Sequence, residues 1–174
     1  MRDIRELSES FKVRVLNDAD VDEVFGVYQS NPFYFKHMKI VPEKNSVLDD
    51  MKMLPRGKGM EDKFFLGFYR EESLIAVMDL IFRYPNEKTA FIGLFMMEHS
   101  HQGKGTGSKI IRETEKYLAG DGFGYIRLAF IRGNPESEGF WRKNGFSPTG
   151  VQIEQENYTM VVMEKEIRKD ADTE

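Results

Sequence analysis

The segment HQGKGTG, from His101 to Gly107, places three glycines and a lysine within seven residues. Glycine has no Cβ atom, so a glycine-rich backbone can approach a ligand closely. Where such a segment opens a helix, the unpaired N–H groups of the first turn and the helix dipole favour a bound anion. The pattern indicates a phosphate-binding loop with Lys104 as a cation at its rim. An ordinary glycine-rich turn is the alternative.

Two common phosphate-binding patterns fit this segment poorly. The P-loop needs a glycine five residues before its Gly-Lys pair and a serine or threonine directly after the lysine. Neither residue is present around Gly103-Lys104. The dinucleotide pattern G-x-G-x-x-G would need a glycine where the chain has Ser108.

Two carboxylates stand beside or within apolar runs. Glu98 directly follows the run TAFIGLFMM, and Asp79 lies inside LIAVMDLIF. A buried carboxylate costs free energy unless it has a partner or a purpose, and general-base catalysis would be such a purpose. The alternatives are a solvated strand end for Glu98 and a hydrogen-bonded structural aspartate for Asp79. His99 and His101 lack metal-ligand spacing with a further His or Cys, so no metal is expected.

The front half of the chain predicts strands in antiparallel order. FKVRVL (11–16) alternates apolar and charged residues, and a helical pattern follows it as far as Asn31-Pro32. KFFLGFYR and SLIAVMDLIFRY flank a tight turn at Glu71-Glu72, and TAFIGLFMM is typical of a central strand.

The period then changes from strand to helix. Apolar residues recur at helical spacing from Gly105 to Leu118, and the strand YIRLAFI follows, which predicts a parallel crossover. Asn134-Pro135 opens another helix, and two strands end the pattern. The fold class is therefore α/β, with a mixed antiparallel and parallel sheet of about six to seven strands and about four helices.

Two motifs carry a resemblance to a known family. Gln102–Gly107 has the form Q/R-x-x-G-x-G/A, which resembles the pyrophosphate loop of the GNAT superfamily of acyl-CoA-dependent N-acetyltransferases. NPESEGFWRKNGF, Asn134 to Phe146, resembles the family's second cofactor motif. The resemblance spans roughly Lys63 to Phe146. It implies a GNAT-like sheet that is splayed at the acetyl-CoA site. It also implies transfer of the acetyl group from acetyl-CoA directly to a primary amine of a small molecule, peptide or protein.

The resemblance also implies which residues bind acetyl-CoA. The strand backbone would pair with the pantetheine arm at Phe95, Met96 and Met97. The loop residues facing the pyrophosphate would be Gln102, Gly103, Lys104, Gly105, Thr106, Gly107 and Ser108. The helix residues facing the cofactor arm would be Asn134, Phe140 and Trp141. Plain core packing, and N-capping for Asn134, are the structural alternatives.

Catalysis would need a base and a proton donor. Glu98 is the first candidate for the base and Asp79 the second. Many family members have tyrosine where this chain has Trp141, and an indole N–H does not exchange protons usefully near neutral pH. Residues 31–38 and 53–60 are expected to form the wall of the acceptor site, and Tyr158 is a further substrate-facing candidate. Two rival hypotheses remain: a non-catalytic acyl-CoA sensor on this fold, or a nucleotide-binding protein that uses the same loop.

Length and composition limit the classes of protein to which this chain can belong. The 174 residues suit one domain, 1–174, with frayed ends at 1–10 and 167–174. A net charge of −4 argues against nucleic-acid binding, and no apolar run is long enough for a membrane helix. The absence of cysteine excludes a cysteine nucleophile and fits a cytoplasmic location. A homodimer is open by analogy with the family alone.

Overall fold

A computed structural model describes residues 1–169, which form one seven-stranded sheet with five α-helices. The strands are β1 Lys12–Val15, β2 Lys63–Arg70, β3 Ser73–Phe82, β4 Thr89–Met97, β5 Tyr125–Ile131, β6 Ser147–Glu154 and β7 Thr159–Glu166. The helices are α1 Val21–Gln29, α2 Pro32–Met38, α3 Lys44–Lys52, α4 Thr106–Gly120 and α5 Pro135–Lys143. The mixed α/β fold predicted from the sequence is confirmed.

Helix α2 is the additional helix. The sequence predicts that α1 ends at Asn31-Pro32, and α1 does end just before it, at Gln29. Pro32 then occupies the first turn of a second helix, which the sequence analysis does not predict. Proline suits that position because its missing N–H has no partner to lose there and its φ angle is already helical. The helix ends at Lys39, whose left-handed backbone has a φ of 59°.

The order of the strands in the sheet is β1-β2-β3-β4-β5-β7-β6, and only β4 and β5 pair in parallel. Their pairing is short: it joins Thr89–Ile92 to Tyr125–Leu128 and stops there. The register between β3 and β4 shifts at the same level, so that Gly93 lies in a bulge. A bulge bends its strand and increases the local twist. Beyond Ile92, β4 therefore runs free of β5 and leaves a gap between the two strands.

Each face of the sheet has its own apolar layer. The layer on the first face contains Ile110 and Leu118 of α4, Trp141 of α5 and Met78 of β3. The layer on the second face contains residues of α1 and α3, and it includes Val77 of β3 and Met96 of β4. Alternate residues of a strand point to opposite faces, so neighbouring residues of β3 and β4 serve different layers.

The N-terminal segment packs on the first face, although the sequence predicts that residues 1–10 are frayed. Ile4 and Leu7 are buried in the core, and Arg2 Nε lies 2.8 Å from Asp121 Oδ1. At the other end, Ile167 is also buried, while residues 170–174 of the predicted frayed tail lie outside the described residues. The buried apolar side chains explain why these segments pack, since each removes hydrocarbon from water.

Candidate acetyl-CoA site and acceptor site

The glycine-rich segment forms a loop that leads directly into helix α4. Gly103 and Gly105 have φ angles of 73° and 80°, a conformation that glycine adopts without steric cost, and no atom would meet a Cβ at either position. Gly107 has a different reason to be glycine, because a Cβ there would lie 3.2 Å from the ring of Phe140. The first two glycines therefore set the shape of the loop, and the third lets α4 approach α5.

The backbone N–H groups of this loop are its main candidates for contacts with a ligand. The first hydrogen bond of α4 runs from Lys109 N to Gly105 O, at 3.1 Å. Within the described part of the chain, six consecutive N–H groups before it make no hydrogen bond: those of Gly103, Lys104, Gly105, Thr106, Gly107 and Ser108. Lys104 is exposed and makes no ion pair with a described residue. A row of free donors at a helix N-terminus is suited to a phosphate group.

Gln102 differs from the residues that follow it, because both its N–H and its side chain make hydrogen bonds within the protein. Its N–H donates to His99 O at 3.1 Å, so this group is already used within the turn. Its side-chain Nε2 donates to Met97 O at 3.0 Å and to Asn31 Oδ1 at 2.7 Å. Gln102 thus fastens the loop to the end of β4 and to the residue that precedes α2.

The free edge of β4 offers a second set of backbone groups. Glu98 N donates to Ile75 O of the neighbouring chain segment at 2.8 Å. Since hydrogen-bonded and non-bonded pairs alternate in an antiparallel ladder, Met96 also directs its N–H and C=O toward β3. Phe95 directs both of its groups into the gap beside β5, and Met97 directs its N–H there, while Met97 O already accepts hydrogen bonds from Gln102 and Asn31. The geometry therefore favours Phe95 and Met97, and not Met96, as partners for a bound chain.

Aromatic side chains close one side of the gap. The rings of Phe95 and Phe140 stack with their centroids 5.8 Å apart, and Trp141 lies 6.0 Å from Phe95. Phe140 is half-buried, whereas Trp141 is only 7% exposed and belongs to the core. Asn134 is buried, and its Oδ1 accepts a hydrogen bond from Ser137 N at 3.2 Å, which caps α5.

The two candidate bases are in opposite electrostatic situations. Glu98 caps a short turn, His99–His101, and hydrogen bonds from Ser100 hold its pKa below the usual range. Burial raises the pKa of Asp79 to about 6, against the opposing charge of Lys63, whose Nζ lies 2.9 Å from Asp79 Oδ1. A carboxylate with a pKa near the working pH is the better general base. The structure thus favours Asp79 over Glu98.

Asp79 also lies against the bulge of β4. A Cβ atom at Gly93 would stand only 2.6 Å from Asp79 Oδ2, so only glycine leaves room for the carboxylate. Asp79 pairs in register with Leu94, the residue before Phe95. The carboxylate is therefore placed behind the strand segment whose outer edge faces the gap.

A buried polar network surrounds Asp79, and no local sequence pattern indicates it. Lys63 Nζ donates to Met53 O at 2.8 Å as well as contacting Asp79, and its side chain is 1% exposed. Tyr28 donates to Asp50 Oδ2 at 2.6 Å. Burial raises the pKa of Asp50, while the hydrogen bond from Tyr28 and the charge of Lys63 oppose that rise. One ammonium thus lies near two carboxylates, contributed by α3 and β3.

Of the two segments expected to form the acceptor wall, one lines a cavity. Phe33, Lys36 and His37 of α2 line a cavity of about 370 Å³, and Tyr158 lines it from the turn between β6 and β7. Residues 53–60 do not line this cavity; Met53 instead accepts the hydrogen bond from Lys63.

Comparison with known proteins agrees with this geometry. The model of the acetyltransferase (GNAT) family matches residues 15–146. The chain belongs to this family. The resemblance seen in the two sequence motifs is thereby confirmed, and so is an acyltransferase assignment at the level of the family. No curated protein matches the chain.

Solved structures of similar fold cover nearly the whole chain. An acetyltransferase from Thermus thermophilus is 17% identical, with a TM-score of 0.70, over 91% of this chain and 97% of its own. The PaiA N-acetyltransferase from Thermoplasma acidophilum, solved with coenzyme A, is 20% identical, with a TM-score of 0.64, over 90% and 99%. A Salmonella typhimurium acetyltransferase that modifies the N-terminal serine of a ribosomal protein is 14% identical, with a TM-score of 0.71, over 94% and 98%.

Two further features concern residues 1–169 only. None of their helices combines the length and the apolar character that crossing a membrane requires. These residues also contain no group of three or more His, Asp or Glu side chains placed to hold a metal ion.

Proposed function

We propose that the protein is an N-acetyltransferase that transfers the acetyl group of acetyl-CoA to a primary amine. The observation that carries this proposal is the presence of two sets of free backbone groups: the N–H groups of residues 103–108, and the edge of β4 at Phe95 and at the N–H of Met97. The first surface suits a pyrophosphate, and the second suits an extended chain that hydrogen-bonds like an added strand.

Acetyl-CoA fits this pair of surfaces because it carries both groups. The pyrophosphate would contact the N–H groups from Gly103 to Ser108, with Lys104 as a nearby cation. The pantetheine arm would lie along Phe95 and Met97 and against the ring of Phe140. Asn134 has an unused Nδ2 donor among the described contacts and could serve the arm while it caps α5.

Asp79 is proposed as the general base. A free alkylamine has a pKa of about 10, so most of it is protonated near neutral pH and cannot attack. Asp79 takes one proton from the ammonium, and the neutral nitrogen attacks the thioester carbonyl. The new C–N bond forms as the C–S bond breaks. The second proton leaves the acylated nitrogen through water and neutralises the departing thiolate.

Trp141 favours one rival function. A buried indole cannot protonate a thiolate, and no tyrosine occupies that position in this chain. A non-catalytic acyl-CoA sensor would need the same binding surfaces but no proton transfer. The position of Asp79 supports the enzyme, because this carboxylate lies behind the strand segment that faces the gap and burial raises its pKa.

The first test is calorimetric titration of the protein with acetyl-CoA, with ATP and NAD as controls. Binding of acetyl-CoA alone supports the proposal. Turnover is then measured as release of free CoA thiol with a panel of amines. Acetyl-CoA binding without turnover on any amine would favour the sensor, and binding of ATP or NAD in place of acetyl-CoA would favour a nucleotide-binding protein.

A further inference from the structure

The cavity beside α2 is strongly basic. Lys36 and Lys39 line it from α2 and its C-terminal cap, and Arg132 lines it from the residue that follows β5. Phe33 and Tyr158 provide aromatic surface. All three cations are exposed at the mouth of one concave space.

None of these three charges is neutralised within the described chain. Lys36, Lys39 and Arg132 make no ion pair there, and no carboxylate lines the cavity. Glu156 lies in the same turn as Tyr158 but is not part of the lining. The chain as a whole carries 29 acidic residues against 25 basic ones. A local cluster of unpaired cations on an acidic protein repels itself and attracts anions.

Helix α2 connects this cavity to the reactive gap. Asn31, directly before the helix, donates from Nδ2 to Met97 O at 2.8 Å, which anchors the start of α2 at the end of β4. Arg132 N donates to Thr159 O at 2.8 Å, which anchors the other wall at the end of β5. The seven residues of α2 span about 10 Å at 1.5 Å per residue. Lys36 and Lys39 therefore lie within about one helix length of the point where α2 is anchored to the end of β4.

We propose that this cavity binds the anionic group, a carboxylate or a phosphate, of a small-molecule amine acceptor. The inference rests on the proposed N-acetyltransferase function and specifies its substrate class. The volume of about 370 Å³ falls in the usual range of small-molecule sites. A guanidinium can bind a carboxylate or a phosphate through two parallel hydrogen bonds, and the lysines add charge. The amine end of the same molecule would then reach the gap near Asp79.

The test compares acceptors that differ in charge at one end. The probes are ω-amino carboxylates of increasing chain length, the matching ω-amino phosphates, diamines of the same lengths and uncharged n-alkylamines. We expect kcat/KM to be about fivefold higher for the anionic acceptors than for the diamines, since a few partly exposed charge pairs contribute about 1 kcal/mol together. The carboxylate and phosphate arms show which anion is preferred.

Variants locate the effect in the cavity. Arg132→Gln and Lys36→Gln should each raise KM for the anionic amine about threefold to fivefold, while kcat, the Kd of acetyl-CoA and the rate with n-alkylamines stay the same. The control is Lys12→Gln, which removes an exposed lysine from the edge strand β1, and it should change nothing. Circular dichroism checks that each variant is folded.

Several results would overturn the inference. A preference for diamines or n-alkylamines, or an unchanged KM in both cavity variants, would exclude an anionic acceptor at this site. If no amine is acetylated, the proposed function fails first. Calorimetry then decides on the cavity: it must still bind the ω-amino carboxylate or phosphate, and Arg132→Gln must weaken that binding, or the cavity proposal fails as well.

Discussion

The two sides of the gap between β4 and β5 present different chemical groups, main-chain groups on one side and side chains on the other. The side with the glycine loop uses main-chain N–H groups from one short stretch, residues 103–108. The side with α2 presents side chains from segments that are far apart in the sequence, the first at Tyr28 and the last at Tyr158. The first side depends on backbone shape and tolerates many side chains. The second depends on side-chain identity. If the two sides bind acetyl-CoA and the amine as proposed, acceptor specificity can change by substitution while the loop stays constant.

The largest expected effect separates the two candidate bases. Asp79→Asn should lower kcat by about 10²- to 10⁴-fold, the usual contribution of a general base, and leave the Kd of acetyl-CoA unchanged. Glu98→Gln is the matched control and should cost much less, because the lowered pKa of Glu98 makes it a weak base. Steady-state rates and calorimetry on both variants measure this. A large loss in Glu98→Gln with none in Asp79→Asn would reverse the assignment.

The pH dependence of the rate sharpens the same assignment. Asp79 must be ionised to accept a proton, and its pKa is raised to about 6. The kcat/KM of the wild type should therefore fall about tenfold per pH unit below pH 6, while the ammonium form of the acceptor, which Asp79 deprotonates, is the main form throughout this range. In Asp79→Asn the step near pH 6 should disappear and only the titration of the amine should remain. A pH profile that is identical in both proteins would exclude Asp79 as the titrating base.

The same raised pKa has a consequence for stability. Between the ordinary pKa of 3.8 and about 6, the folded protein retains the Asp79 proton that the unfolded chain has lost. This contribution to the free energy of unfolding is complete below pH 3.8 and is lost as the pH rises through about 6. Denaturant titrations of wild type and Asp79→Asn across this range should show the difference in slope, and parallel curves would contradict it.

A pair of loop variants tests whether the backbone or the side chain matters on the cofactor side. Gly105→Ala forces a Cβ into a left-handed conformation at a cost of about 1–2 kcal/mol, which predicts an acetyl-CoA Kd raised about 5- to 30-fold. Lys104→Ala removes only an exposed charge and should raise the Kd by about fivefold at most. Calorimetry in low and high salt separates the two. A larger effect in Lys104→Ala would mean that charge, and not loop shape, dominates binding.

The smallest effect concerns the junction of the two sides. Asn31→Ala removes one of the two side-chain amides that donate to Met97 O, and it should lower the free energy of unfolding by about 1 kcal/mol. Gln29→Ala removes an exposed amide from α1 that makes no hydrogen bond with the described residues, and it should be neutral. Urea unfolding measures both. Equal stability of the two variants would show that Asn31 does not hold α2 in place.

Much of the cofactor side could be predicted from the sequence because its determinants are local. The loop, the crossover helix and the cap at Asn134 each depend on neighbouring residues, and all three are present. Local patterns are less exact at helix ends: the apolar pattern of α4 stops at Leu118, whereas the helix continues to Gly120 and Asp121 caps it.

The acceptor side could not be predicted in the same way. The partner of Asp79 is Lys63, sixteen positions earlier by sequence number, and only the pairing of β2 with β3 brings them together. The sequence around Lys63 indicates the polar start of a strand, and nothing near it marks it as buried. Arg132 and Lys36 likewise share a cavity only because the fold brings the residue after β5 close to α2.

The Asn31–Gln102 contact joins the glycine loop to the start of helix α2, and hence the two proposed ligand sites to each other. Asn31 directly precedes α2, and Gln102 directly precedes Gly103 of the glycine loop. Both side-chain amides donate to the carbonyl oxygen of Met97. If both ligands bind as proposed, this junction predicts that ordering of the loop by acetyl-CoA also orders the start of α2. Linkage then requires reciprocity: if acetyl-CoA increases the affinity for the amine, the amine must increase the affinity for acetyl-CoA by the same factor.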